Sequence, residues 1–147
     1  MSAEAVRIVE QIQGVLDVDV VAALDDDETD RRIRQTLAEL AQPDFEVAMV
    51  GPGYLPEPLE RIGVEGFRDA WVDWTSPFES FRIQIERVID AGDRVVSLVR
   101  QIGRTKTGGV EIEAAAAAVW TIRDGKLTRV EFHLDQDAAL HAAGIEP

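Results

Sequence analysis

The second half of the sequence holds four extended runs, residues 80 to 90, 94 to 106, 110 to 122 and 127 to 134, each parted from the next by a turn signal. Ala91-Gly92-Asp93, Thr107-Gly108-Gly109 and Asp124-Gly125 carry the residues that tight hairpins need. Strands of about five or six residues are usual, and an antiparallel meander of strands about twice that length must twist and curl. Its concave face needs a cover, and the segments that precede it supply one. Helix competes with strand over Ala114 to Ala118, five residues of the highest helix propensity. Flanking Val110, Ile112, Val119, Thr121 and Ile122, with turns close at both ends, favour strand.

The first half is mostly helical. Ala5, Ile8, Val9, Ile12, Val15 and Leu16 recur at helical spacing after Ser2, predicting a helix over residues 3 to 16. Asp19 can cap a short helix from Val20 to Leu24. Thr29 or Asp30 can cap a third, whose apolar stripe is Ile33, Leu37 and Leu40 and which Pro43 stops. The acidic run Asp25 to Glu28 has a calcium loop's charge but not its turn glycine or spaced glutamate, so it is read as a solvated loop favouring the next helix N-terminus. Phe45, Val47 and Met49 then alternate as in a strand, and residues 51 to 58, rich in Pro and Gly, form a loop. Phe67, Ala70, Trp71 and Trp74 give a helix with an aromatic face, and Asp135 can cap a last helix through Ala142, stopped at Gly144. The expected architecture is α+β, one domain over residues 1–147, a strongly bent sheet wrapped around the N-terminal helices.

Strand alternation assigns faces. Phe81, Ile83 and Ile85 are expected to point into the concavity, as are Val130, Phe132 and Leu134, with Arg129, Glu131 and His133 outside. On the second long run Arg100 shares a face with Val96, Leu98 and Ile102, a charge among aliphatics expected to face inward. Such a guanidinium needs a ligand anion, a carboxylate or carbonyls to offset its desolvation. Small Ala114, Ala116 and Ala118 leave room on the concave side, whereas Trp71, Trp74 and Trp120 either line that space or fill it. Ala115, Ala117 and Val119 make the outer face apolar enough to expect a homodimer. His133 is a general-base candidate by its titration range, although its face points to an outward or interface position.

Lys and Arg number 15 against 28 Asp and Glu, a net charge of −13 that opposes nucleic acid and anionic membranes as partners. Residues 1 to 60 carry 4 of the cations and 14 of the anions. There is no cysteine, and His133 and His141 are the only histidines, so neither a metal nor another cofactor is expected. No run approaches the ~18 apolar residues of a membrane span and no targeting signal opens the chain, which leads to an expected cytoplasmic location.

Several stretches, in order, resemble the SnoaL-like branch of the nuclear transport factor 2 superfamily: Pro43-Asp44-Phe45-Glu46-Val47, Gly63-Val64-Glu65-Gly66-Phe67-Arg68, Asp90-Ala91-Gly92-Asp93-Arg94-Val95-Val96 and Asp124-Gly125-Lys126-Leu127-Thr128-Arg129. The resemblance implies a cone-like fold, a six-stranded bent sheet with helices closing a deep pocket, usually dimeric through the outer sheet face. It implies no single activity, since similar proteins include polyketide cyclases, steroid isomerases, limonene epoxide hydrolases, dehydratases and members without catalysis. Arg100 falls where epoxide hydrolase-like members hold an Arg, but Ile102 and Phe132 replace the two Asp. Met49 stands where isomerase-like members hold a base Asp. Asp135 is the remaining acidic catalytic candidate beside Arg100, because some cyclase-like relatives carry an essential Asp near this end. Tyr54, in the loop expected at the pocket mouth, can donate to a ligand oxygen. The expected ligand is a small hydrophobic molecule contacted by Met49, Tyr54, Trp71, Trp74, Ala116, Trp120 and Phe132, and the alternative is a non-enzymatic binding or assembly module with a vestigial pocket.

Overall fold

Asp19 ties the helical layer to the sheet. In the computed structural model, which describes residues 2–50 and 59–144, helix α1 (Ser2–Val15) buries Ala5, Ile8, Val9 and Ile12 at helical spacing. Helix α2 (Val20–Asp25) starts at Asp19, whose Oδ1 accepts from the backbone N–H groups of Val21 at 3.1 Å and Ala22 at 3.4 Å. The same oxygen accepts the N–H of Phe81, also at 3.1 Å, on strand β3 (Phe78–Asp90), an edge of the sheet. Asp19→Ala is therefore expected to cost about 2–4 kcal/mol, a lost cap plus an orphaned strand N–H. Thermal melts check this, with Asp19→Asn retaining most of the stability.

Helix α3 (Asp27–Leu40) begins earlier than expected: Asp26, not Thr29 or Asp30, is its cap, accepting from the Thr29 N–H at 3.1 Å. Asp27, Glu28 and Asp30 thereby lie in the first turn, where the helix dipole favours anions. Strand β1 (Ala41–Val50) follows, with Pro43 inside the register break between Ala41 and Glu46. Strand β2 (Leu59–Ile62), not anticipated from the sequence, leads into helix α4 (Gly63–Thr75). Gly63 is required there: its φ is +73°, and a Cβ would lie 2.9 Å from the Pro43 carbonyl oxygen.

The meander is as expected, with β3, β4 (Arg94–Thr105), β5 (Glu111–Arg123) and β6 (Lys126–His133) joined by tight turns and followed by helix α5 (Gln136–Ala142). The poly-alanine stretch is strand. Strand order is β2-β1-β6-β5-β4-β3, with β1 and β6 parallel and the other pairs antiparallel, in a curved sheet that does not close on itself.

The main core lies on the concave side, where α1, α2, α3 and α4 meet Phe45, Val47, Val95, Ala118, Trp120, Leu127 and Val130. Two expectations about faces need correction. Register pairs Val95 with Trp120, Ser97 with Ala118 and Gln101 with Ala114, so these point inward, while Arg100 pairs with Ala115 on the outside. Alternation misplaced β4 because both of its faces are apolar. They are apolar because α5 packs outside the sheet, Ala139 joining Val96, Ala117 and Val119 in a second buried cluster. That cluster removes the reason given for a homodimer, since the chain's own helix covers Ala117 and Val119.

Candidate functional site

Beneath α1 and α4, the concave face leaves a narrow cavity of about 40 Å³. Its floor comes from Ile83 and Ile85 on β3, Val99 and Gln101 on β4, Ala117, Ala118 and Trp120 on β5 and Phe132 on β6; Gln13, Leu16, Asp17 and Trp71 complete it from the helical side. A second apolar cavity of about 30 Å³ under α2 and α3 shares Leu16, Trp71 and Ile83 with the first. These volumes hold a few waters, so a ring-sized ligand requires side chains to move. A wider surface groove between α1 and β3 shares Gln13, Asp17, Ile83 and Ile85 with the cavity and adds Glu10, Gly14, Gln84 and Glu86, giving the approach an acidic rim.

Aromatic rings pack edge to face or tilted around this space. The Phe132 centroid is 5.0 Å from that of Trp71 and 6.0 Å from that of Trp120, and Trp71 is 6.0 Å from Phe81. Polar groups are few. The Trp120 Nε1–H donates to Ser97 Oγ at 2.9 Å, and Gln13 Nε2 donates to the same oxygen. By contrast, Trp71 is 3% exposed and its Nε1–H has no partner among the described residues. Gln101 is 8% exposed and its amide makes no hydrogen bond among the described residues, but unlike the Trp71 N–H it is not sealed from solvent. Buried polar groups normally find partners, and leaving one without costs about 1–3 kcal/mol.

The structure thus brings together Trp71, Trp120 and Phe132 of the residues expected to contact ligand. Met49 and Ala116 are buried nearby but outside the cavity wall, the Ala116 carbonyl accepting from Gln136 Nε2 at 3.0 Å. Trp74 borders a separate groove with Phe78 and Phe81. Tyr54 lies outside the described residues. Arg100 is on the outer face with 46% of its side chain exposed, 3.4 Å from Glu86 and 3.8 Å from Glu113. An exposed pair on a sheet surface satisfies that charge without any ligand. Asp135 is exposed and caps α5, accepting from the N–H groups of Asp137 and Ala138.

His133 is also outside the cavity, on the outer face opposite Ala117, although it is only 6% exposed. Its Nε2 is 3.0 Å from Glu131 Oε1, and Arg129 Nε donates to the other Glu131 oxygen at 3.1 Å. The His133 hydrogen bond, helped by Arg129 and opposed by burial, holds the Glu131 carboxyl below the usual range. Beside the second cavity, burial pushes Asp30 up, but hydrogen bonds and charge from Arg34 and Arg68 outweigh it and hold this carboxyl low too. Both clusters are ion networks on faces away from the main cavity, although the His133 Nδ1 is buried with no partner among the described residues.

Sequence reasoning missed Gln13, Asp17, Ser97 and Gln101. The signal for two of them was present: Ser97 and Gln101 stand four residues apart, on the face of β4 opposite to Arg100.

No curated protein matches the chain. Among solved structures, a protein from Jannaschia sp. CCS1 assigned to the SnoaL-like polyketide cyclases superposes with a TM-score of 0.64 at 18% identity, covering 97% of this chain and 94% of that one. An NTF2-like protein from Burkholderia xenovorans LB400 gives 0.59 at 21% identity over 96% of each chain. TerC, co-crystallised with polyporic acid, gives 0.56 at 23% identity over 85% of this chain and 95% of that one. At these identities the likeness is one of fold. The family model for the SnoaL-like domain matches residues 19–130, from the cap of α2 through most of β6, and the chain belongs to that family.

Proposed function

We propose that this protein binds a small, mostly apolar ligand bearing a hydrogen-bond acceptor, in the cavity beneath α1 and α4. The observation that carries this reading is the unpartnered Nε1–H of buried Trp71. A carbonyl or ether oxygen placed there would remove the cost of that donor, while Trp120, Phe132 and Ile83 supply apolar contact. The co-crystallised ligand of TerC adds support at the level of the fold. Asp17 is the one titratable residue among the described residues lining the cavity, and it is the group there through which a polyketide cyclase, isomerase, dehydratase or epoxide hydrolase activity could work.

Hydrophobic carbonyl compounds are expected to shift or quench tryptophan emission. Trp71→Phe is expected to weaken their binding about 5–10-fold, the worth of one hydrogen bond, while hydrocarbons of the same shape bind equally to both forms. Phosphorylated compounds should not bind past the rim of Glu10, Asp17 and Glu86. Equal carbonyl affinity in both forms, or binding of phosphorylated compounds alone, overturns the proposal.

A second reading, a non-enzymatic assembly module with a vestigial pocket, is favoured by the small cavity volume and the tightly packed rings. Self-association fits either reading, through the part of the outer face that α5 leaves open around exposed Ala115. Light scattering at micromolar concentration is expected to give a dimer mass, and a monomer mass removes that element.

A further inference from the structure

Beyond Gln101, on the same concave face, the groove that Trp74 borders forms an apolar compartment of about 260 Å³, lined also by Phe78, Phe81, Ile112, Ala114 and Leu134. Gln101 borders both this compartment and the main cavity. Three observations make the compartment more than a surface dimple. Gly103 leaves the strand bare where Phe78 lies, since a Cβ there would meet its ring at 2.6 Å. Phe81 lines this groove and its ring packs on Trp71 of the main cavity, its centroid 5.3 Å from that of Phe78 and 6.0 Å from that of Trp71. Gln101, 8% exposed as a residue, keeps its amide open to both spaces, offers both donor and acceptor to whatever passes between them and makes no hydrogen bond of its own among the described residues.

We infer that the binding site continues past Gln101 into the Trp74–Phe78 compartment, and that Gln101 is its specificity-determining residue, reading an oxygen at the middle of a long neutral ligand with an apolar group at each end. The inference rests on the proposed ligand-binding reading and goes beyond it in shape and chemistry. An apolar ligand without the oxygen would leave the amide unpaired, so discrimination falls on the centre of the ligand rather than on either end.

Calorimetric titration with three probes tests it: benzophenone, with two rings about a carbonyl; diphenylmethane, with the same rings and no oxygen; and acetophenone, with one ring and a carbonyl. The wild-type protein is expected to bind benzophenone at least tenfold more tightly than either of the others. Gln101→Leu should erase the preference over diphenylmethane without lowering the melting temperature, because the amide it removes makes no hydrogen bond within the described structure. Ala114→Leu should weaken benzophenone at least tenfold and leave acetophenone within twofold, and Ile112→Phe, at a half-exposed position, should do the same without disturbing the core. If acetophenone binds as tightly as benzophenone, or if the blocking variants weaken both alike, the second compartment is overturned while the main cavity stands. If none of the three binds the wild-type protein, the ligand-binding reading falls together with this inference.

Discussion

Trp120→Ala is expected to destabilise the protein by about 3–5 kcal/mol, the range for emptying a buried aromatic site. Trp120 is 2% exposed, at the middle of the sheet, with Val95 and Val130 as its cross-strand partners. Its ring meets Phe132 edge-on at 84°, and its N–H is held by Ser97 Oγ, the atom that also receives Gln13 from α1. Truncation therefore removes core volume and loosens the polar joint between the first helix and the sheet. For a chain of this length about 2–4 °C is lost per kcal/mol, so the melting temperature should fall by roughly 10 °C. Trp120→Phe keeps most of the packing and loses the hydrogen bond, which should cost about 1–2 kcal/mol. The space opened by alanine joins the existing cavity, so added indole should raise the melting temperature of that variant and not of the wild-type protein. An unchanged melting temperature for Trp120→Ala would place this tryptophan outside the core.

What the sequence could and could not disclose follows from how many partners each signal needs. Helix caps and hairpin turns are local. Asp19 and Asp135 cap the helices expected of them, and the glycine-bearing turns bound strands close to the expected limits. Facing is also local where one side of a strand is dry and the other wet. On β3, Phe81 and Ile83 face the core, and a bulge between Ile85 and Arg87 carries Val88 inward as well. Strand β4 defeats the same logic because it is covered on both sides, by the helical layer within and by α5 without. Val96 and Leu98 are as apolar as Val95 and Val99, so only the pairing with Trp120, a contact about twenty-five residues away in sequence, fixes the face. Every site residue that was missed on β4, and the misplacement of Arg100, comes from that one strand. Strand β2 was hidden for a different reason: four residues after a Pro- and Gly-rich stretch are too few to display alternation, and pairing with β1 is what makes them a strand.

The same two-sided cover sets the last expectation. Ala117 faces outward, as alternation predicts, yet it is 2% exposed because α5 lies on it. The helix is held there by Ala139 against Val96 and Val119, by Gln136 reaching the Ala116 carbonyl, and by Arg94 Nη1 donating to the Ala142 carbonyl at 2.7 Å. In Ala117→Arg a guanidinium that cannot shed its proton would have to fit beneath this helix. Either the charge stays buried or α5 lifts away and exposes the cluster. Each course is expected to cost about 3 kcal/mol or more, combining overpacking with charge desolvation. Ala115→Arg, on the same face but exposed, should change stability by no more than about 0.5 kcal/mol. Thermal melts of the two variants, with limited proteolysis to follow release of the C-terminal helix, make the comparison. If Ala117→Arg instead melted like the wild-type protein while its mass in light scattering fell from dimer to monomer, the strip would belong to an interface between two copies, because a residue sealed under its own chain's helix cannot accept an arginine without cost.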